Sequence, residues 1–114
     1  DVGIDASKPV PRIYLPRDDM ARFGVPEETV FRRAATTDFR TLLRFQVDRA
    51  RAMMLEGAPL GRALPGRIGL EIRAIVAGGL RILDKIETVD CDVFSRRPAL
   101  AAADWPRILL RAAL

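Results

Sequence analysis

The stretch from Arg67 to Val89 constrains this chain more than any other. Within it Ile72, Ile75, Val76, Gly79, Ile82, Leu83 and Ile86 recur at three- and four-residue spacing. That is the period of one helix face, because side chains three and four apart stack above each other on an α-helix and alternate sides on a strand. Leu70, Ala74, Ala77 and Leu80 make much of the other side apolar too, so this segment reads as a buried central helix. A chain with such a helix at its centre needs other helices to cover it.

The rest of the sequence supplies them. Phe39, Leu42, Leu43, Gln46, Ala50, Met53 and Met54 form a second amphipathic stripe, which Asp38 is expected to cap. Gly57, Pro59, Gly61, Pro65 and Gly66 mark the bend between the two long helices. Arg17–Phe23 reads as a short helix stopped by Gly24, and Pro26 opens another with Glu27 and Glu28 in its first turn. Trp105–Leu114 is a final amphipathic piece, whose tryptophan is expected to pack on the body rather than sit at a membrane interface. Pro9, Pro11 and Pro16 forbid a continuous helix and make Ala6–Pro16 an extended loop. No segment alternates apolar and polar residues over the length of a strand, so the fold class is all-α.

Composition narrows the chemistry. Half the residues are apolar and 30% are charged, an ordinary globular balance that should bury a core. There is no histidine and Cys91 is the one cysteine, which excludes an internal disulfide and a Cys/His zinc site. Metal chemistry would have to use carboxylates. The charge of +4 is almost wholly arginine, since only Lys8 and Lys85 are lysines, and guanidinium suits phosphate and carboxylate partners. These arginines are scattered, with few aromatics between them to stack bases, so nucleic acid is not an expected partner. No run is long and apolar enough to span a bilayer, and a cytoplasmic location is expected, with contact to a membrane surface left open.

Asp1 and Asp5 are the chemically loaded pair. Four residues apart on a helix, two carboxylates share a face and can reach one hard cation. Magnesium prefers one or two carboxylates completed by water and phosphate oxygens. A helix of five residues cannot nucleate alone, so if Asp1–Asp5 is helical the turns that support it are expected upstream of this chain.

Asp1-Val-Gly-Ile-Asp5 followed by Arg12-Ile-Tyr-Leu-Pro16 resembles the second aspartate-rich motif and the R-x-Y-L-P segment of the squalene and phytoene synthase family. Gly78-Gly-Leu-Arg-Ile-Leu-Asp-Lys-Ile-Glu87, Asp92-Val-Phe-Ser-Arg-Arg-Pro98 and Asp104-Trp-Pro106 are similar to the C-terminal third of one branch, the hydroxysqualene synthases of bacterial hopanoid biosynthesis. The resemblance implies that residues 1–114 are the C-terminal part of a single isoprenoid-synthase domain, beginning at the second aspartate-rich motif, with the first motif upstream. It implies Mg2+ at Asp1 and Asp5, and Arg12, Tyr14 and Arg96 beside a substrate diphosphate, with Arg97 an equal candidate for the last role. It further implies that the whole enzyme ionises presqualene diphosphate, releases diphosphate and yields hydroxysqualene. Other branches condense two farnesyl or geranylgeranyl diphosphates.

Two departures from the family pattern stand out. Lys8-Pro-Val-Pro11 occupies a loop that is short and glycine-containing in many relatives, which puts the placement of Arg12 and Tyr14 in question. Gly79 stands where condensing relatives often have a tyrosine. Gly78 and Gly79 either line a cavity with room for a bulky intermediate or allow close helix packing. A reading of another class is a helical binding module whose basic faces meet a protein or anionic lipid.

Overall fold

A computed structural model describes all residues, Asp1–Leu114. The chain's regular elements are all helical: α1 Val2–Ala6, α2 Arg17–Arg22, α3 Glu27–Phe31, α4 Thr37–Gly57, α5 Leu60–Ala63, α6 Gly66–Thr88 and α7 Trp105–Ala113, with a 3₁₀ turn at Ala102–Asp104. No helix is long and apolar enough to cross a membrane. Residues divide into two compact units, Asp1–Gln46 with Ile86–Pro98, and Val47–Lys85 with Ala99–Leu114.

In the first unit the apolar stripe of α4 does what its spacing predicts. Phe39 and Leu42 are wholly buried and Leu43 nearly so, together with Met20, Val25, Val30, Cys91 and Phe94. Burial of each large side chain contributes about 2 kcal/mol. The Phe39 and Phe94 rings lie 4.7 Å apart and tilted, an arrangement aromatic pairs favour. One expectation is corrected at the start of α4. The Phe39 amide donates to Thr36 Oγ1 at 3.1 Å, so Thr36 is the cap. Asp38 lies inside the first turn, where its charge meets the positive end of the helix dipole.

Beyond α6 the chain reverses through two consecutive left-handed residues, Asp90 (φ 52°) and Cys91 (φ 60°). Non-glycine residues resist that conformation by about 1–2 kcal/mol each. Arginines of α4 offset the cost. Arg40 Nη1 donates to the Asp90 carbonyl at 2.8 Å and to its Oδ2 at 3.1 Å, and Arg44 Nη2 donates to Oδ1 at 2.8 Å.

The second unit is organised around α6, where Ala77, Gly78, Leu80 and Leu83 are buried. The expectation of a helix buried on all sides holds only in part, because Ile68, Leu70 and Ile75 are exposed. The bend forms the single turn α5, and Gly69 of α6 lies under it. A Cβ on Gly69 would stand 2.2 Å from the Leu64 carbonyl oxygen and 2.8 Å from that of Gly61. Arg73 joins α5 to α7, with Nη1 donating to the Gly61 carbonyl at 2.9 Å and Nε to that of Ala112 at 2.6 Å. Asp104, almost fully buried, accepts from Arg81 Nε at 2.7 Å, from the Ala101 amide at 2.8 Å and from Lys85 Nζ.

Candidate functional site

The Asp1–Asp5 pair stands at the head of α1 in the first unit. Asp1 is the N-cap residue, with Oδ1 accepting from the Ile4 amide at 3.3 Å, and Asp5 lies one turn on. α1 has five residues, too few to hold a helix by backbone bonds alone. Support was expected from turns upstream, but Arg33, inside the chain, supplies it. Its Nη1 donates to the Gly3 carbonyl at 2.9 Å and to Ser7 Oγ at 3.0 Å, and its Nη2 donates to the Phe94 carbonyl at 2.9 Å. The guanidinium also lies 5.7 Å from the centre of the Phe94 ring. Gly3 is buried because this guanidinium covers it: a Cβ there would come within 3.3 Å of Arg33 Nη1. Arg33 has φ 56°, a left-handed position that its three hydrogen bonds offset.

Cations already sit on both carboxylates. Lys8 Nζ donates to Asp5 Oδ1 at 2.6 Å, and Arg97 Nε donates to Asp1 Oδ2. The hydrogen bond from Lys8 holds the Asp5 carboxyl below the usual carboxylate range, and Asp5 in turn raises the Lys8 ammonium. Lys8 belongs to the unusual proline-flanked loop, which turns back on α1 through a 2.9 Å bond from the Arg12 amide to the Asp5 carbonyl.

Arg12 and Tyr14 come together without reaching the carboxylates. Arg12 Nη1 lies 3.4 Å from the Tyr14 hydroxyl, and the tyrosine is mostly exposed. Arg96 is exposed, and its backbone amide bonds the Asp92 carbonyl at 3.3 Å. Of the adjacent arginines it is Arg97 that reaches the acidic pair. The Asp92 carboxylate caps the same turn by accepting from the Ser95 amide at 3.2 Å, which lowers its pKa.

No third acidic, histidine or cysteine side chain joins Asp1 and Asp5 in a metal-holding group. Two carboxylates fall short of the six to eight oxygens of a protein-built calcium cage. They fit magnesium, which keeps waters and accepts phosphate oxygens. Lys8 and Arg97, here bonded to Asp5 and Asp1, carry donors of the kind that also bond phosphate oxygens.

Gly78 and Gly79, in the second unit, have neighbours where a side chain would be. A Cβ on Gly79 would stand 2.6 Å from Met54 Cε, and one on Gly78 would stand 3.7 Å from Leu100 Cδ1. This geometry favours close packing over spare room at Gly79. Sequence reasoning passed over Lys8 and Arg33. Lys8 was visible as a cation three residues from Asp5. Arg33 had no local signal, because its partners lie 30 and 61 positions away.

Residues 1–104 match the family model described as squalene/phytoene synthase. The chain is 36% identical to a phytoene synthase of Thermus thermophilus over 96% of its own length and 36% of that protein's. It is also 36% identical to a phytoene synthase of Arthrospira platensis, over 85% of its length and 31% of the relative's. A chloroplastic phytoene synthase 1 of Zea mays matches at 36% identity over 85% of the chain and 23% of the relative. No solved structure matches. The chain spans about a quarter to a third of the curated relatives it resembles. With its all-helical architecture and an aspartate pair backed by basic side chains, the chain belongs to the squalene/phytoene synthase family.

Proposed function

We propose that this chain is the C-terminal part of a magnesium-dependent enzyme domain acting on a prenyl diphosphate, and that Asp1 and Asp5 hold the metal there. One observation carries the reading: the two carboxylates stand at the head of α1 with Lys8 and Arg97 bonded to them, in a family member. Loss of diphosphate builds negative charge on the leaving group, and groups that meet this charge more strongly in the transition state than in the bound substrate accelerate the step. Bound magnesium would neutralise diphosphate oxygens. Lys8 and Arg97 would bind the diphosphate by trading their carboxylate partners for phosphate oxygens. Arg12 and Tyr14 would close over it from the loop, and Arg96 is within a residue of Arg97 to do the same.

The reaction proposed for the whole enzyme is ionisation of presqualene diphosphate with capture of water to give hydroxysqualene. The motifs around Gly78, Asp92 and Asp104 support this branch. A second reading, head-to-head condensation of two prenyl diphosphates, is favoured by the names of the relatives, which are phytoene synthases. Either product is a long apolar isoprenoid, so the enzyme would work in the cytoplasm against the inner face of the membrane.

The test uses an enzyme carrying this chain together with an upstream half. Calorimetry should find prenyl diphosphate binding that requires Mg2+ and weakens about 10- to 100-fold in an Asp1→Ala, Asp5→Ala double variant. Equal binding by that variant would end the reading. Product analysis on farnesyl against presqualene diphosphate then separates the two reactions, because only a condensing enzyme consumes the former.

A further inference from the structure

Helix α1 tightens as it ends. The Ser7 amide bonds the Ile4 carbonyl at 3.1 Å instead of reaching back a full turn to that of Gly3. The Gly3 carbonyl, midway between Asp1 and Asp5, accepts from side chains: Ser7 Oγ at 2.8 Å and Arg33 Nη1 at 2.9 Å. The last carbonyls of any helix need partners of this kind. Here one partner comes from the turn that follows α3, where Arg33 is held in a left-handed conformation. A non-glycine residue kept there marks a position that its surroundings over-determine.

The same guanidinium reaches the other side of the site, Nη2 donating to the Phe94 carbonyl at 2.9 Å. None of its bonds goes to a carboxylate, so Arg33 serves the backbone rather than a charge. Three residues beyond Phe94, Arg97 Nε donates to Asp1 Oδ2. The aspartate turn and the Arg97 segment are thus cross-linked twice. The Arg97–Asp1 link is made by a side chain that the proposed chemistry needs for phosphate. The Arg33 link is made to carbonyls for which no substrate competes, and it persists when Arg97 turns away. Its Phe94 end is firm, because that ring is buried against Phe39 at 4.7 Å and Asp92 caps the next turn through the Ser95 amide at 3.2 Å. A group that fixes the spacing between a metal's ligands and an anion's donor lowers the cost of assembling them around one ligand.

We infer that Arg33 is a positioning residue of the diphosphate site, setting the distance between the metal ligands Asp1 and Asp5 and the anion-binding Arg97. The inference rests on the function proposed above and adds to it a residue that touches neither metal nor substrate. With Arg33 in place, the metal and Arg97 act on the same diphosphate. Without it, Arg97 is no longer held where the metal presents that anion.

The experiment is a double-variant cycle in an enzyme carrying this chain together with an upstream half, reading Mg2+-dependent binding of inorganic pyrophosphate by calorimetry. Arg33→Ala is expected to weaken binding about tenfold. Arg97→Gln should weaken it about tenfold in the parent and by no more than about twofold once Arg33 is replaced, because an arginine out of place has little to lose. Arg33→Lys keeps the charge but has no fork to span both carbonyls. It should show the same lost coupling, and it carries the cycle where the alanine variant does not fold. Gly69→Ala, in the second unit, lowers stability without touching these links and should leave the full effect of Arg97→Gln intact. An equal loss from Arg97→Gln with and without Arg33, or the same collapse of its effect in Gly69→Ala, would overturn the inference. Binding that ignores Mg2+, or that survives Asp1→Ala with Asp5→Ala, would appear with Arg33 intact and would remove the metal reading itself, and this inference with it.

Discussion

Arg33 Nη2 donates to the Phe94 carbonyl at 2.9 Å while Nη1 of the same guanidinium donates to the Gly3 carbonyl at 2.9 Å. One side chain therefore ties the aspartate-bearing turn to the segment that carries Arg97. Arg33→Ala is expected to destabilise the protein by about 2–4 kcal/mol in urea unfolding, since it removes charge-assisted bonds to carbonyls that are partly shielded from water. Arg33→Lys should recover less than half of that loss, having no planar fork to span both carbonyls. Unchanged stability in the alanine variant would show that α1 is held by something else.

The contact of Gly69 with α5 gives a sharper steric expectation. A methyl at this position meets carbonyl oxygens of the backbone at 2.2 and 2.8 Å, and neither can swing away as a side chain could. Gly69→Ala should cost about 3 kcal/mol or more despite alanine's better helix propensity. Gly57→Ala, where nothing lies within 4 Å, should be neutral or slightly stabilising, and the pair compared by thermal unfolding checks both.

Asp104 makes stability depend on acid. The Ala101 amide, then Lys85 and Arg81, hold its carboxyl far below the usual carboxylate range. Because the folded value lies below the unfolded one, the stabilisation is complete above the ordinary carboxylate pKa of about 4 and is lost as pH falls below it. Asp104→Asn should therefore lower Tm at pH 7 by several degrees and show a shallower further decline between about pH 5 and 3 than the parent. Identical pH profiles would remove Asp104 as the source.

At the acidic pair the cations compete with a metal. Lys8→Met frees Asp5 and should tighten Mg2+ binding measured without diphosphate by up to about fivefold, the range of an exposed ion pair. In the presence of inorganic pyrophosphate the same variant should lose affinity for the anion. A variant that binds both as the parent does would show that Lys8 takes no part.

The helices were legible because each long one repeats its apolar residues at helical spacing, as Phe39, Leu42 and Leu43 do on α4. On α6 the spacing gave the helix but not its inner face, since of the stripe from Ile72 to Ile86 only Leu83 is buried, and the burial falls instead on Ala77, Gly78 and Leu80. The cap of α4 was misplaced by two residues, since Thr36 and Asp38 are both good caps and only the backbone geometry distinguishes them. The acidic pair could be read from spacing and resemblance, whereas its surroundings could not. Arg96 and Arg97 are neighbours with the same chemistry, and which of them turns toward Asp1 depends on the turn that Asp92 caps. Arg33 acts wholly through distant backbone carbonyls, which leave no trace in its local sequence.

The buried Gly3 has a consequence for anyone who would borrow this motif. Grafted onto a foreign scaffold, Asp1–Asp5 would bring its two ligands but neither the guanidinium that presses on Gly3 nor the Phe94 carbonyl that anchors it, and would arrive as a floppy pentapeptide. The portable unit is a discontinuous one, of which the acidic stretch is only the visible part.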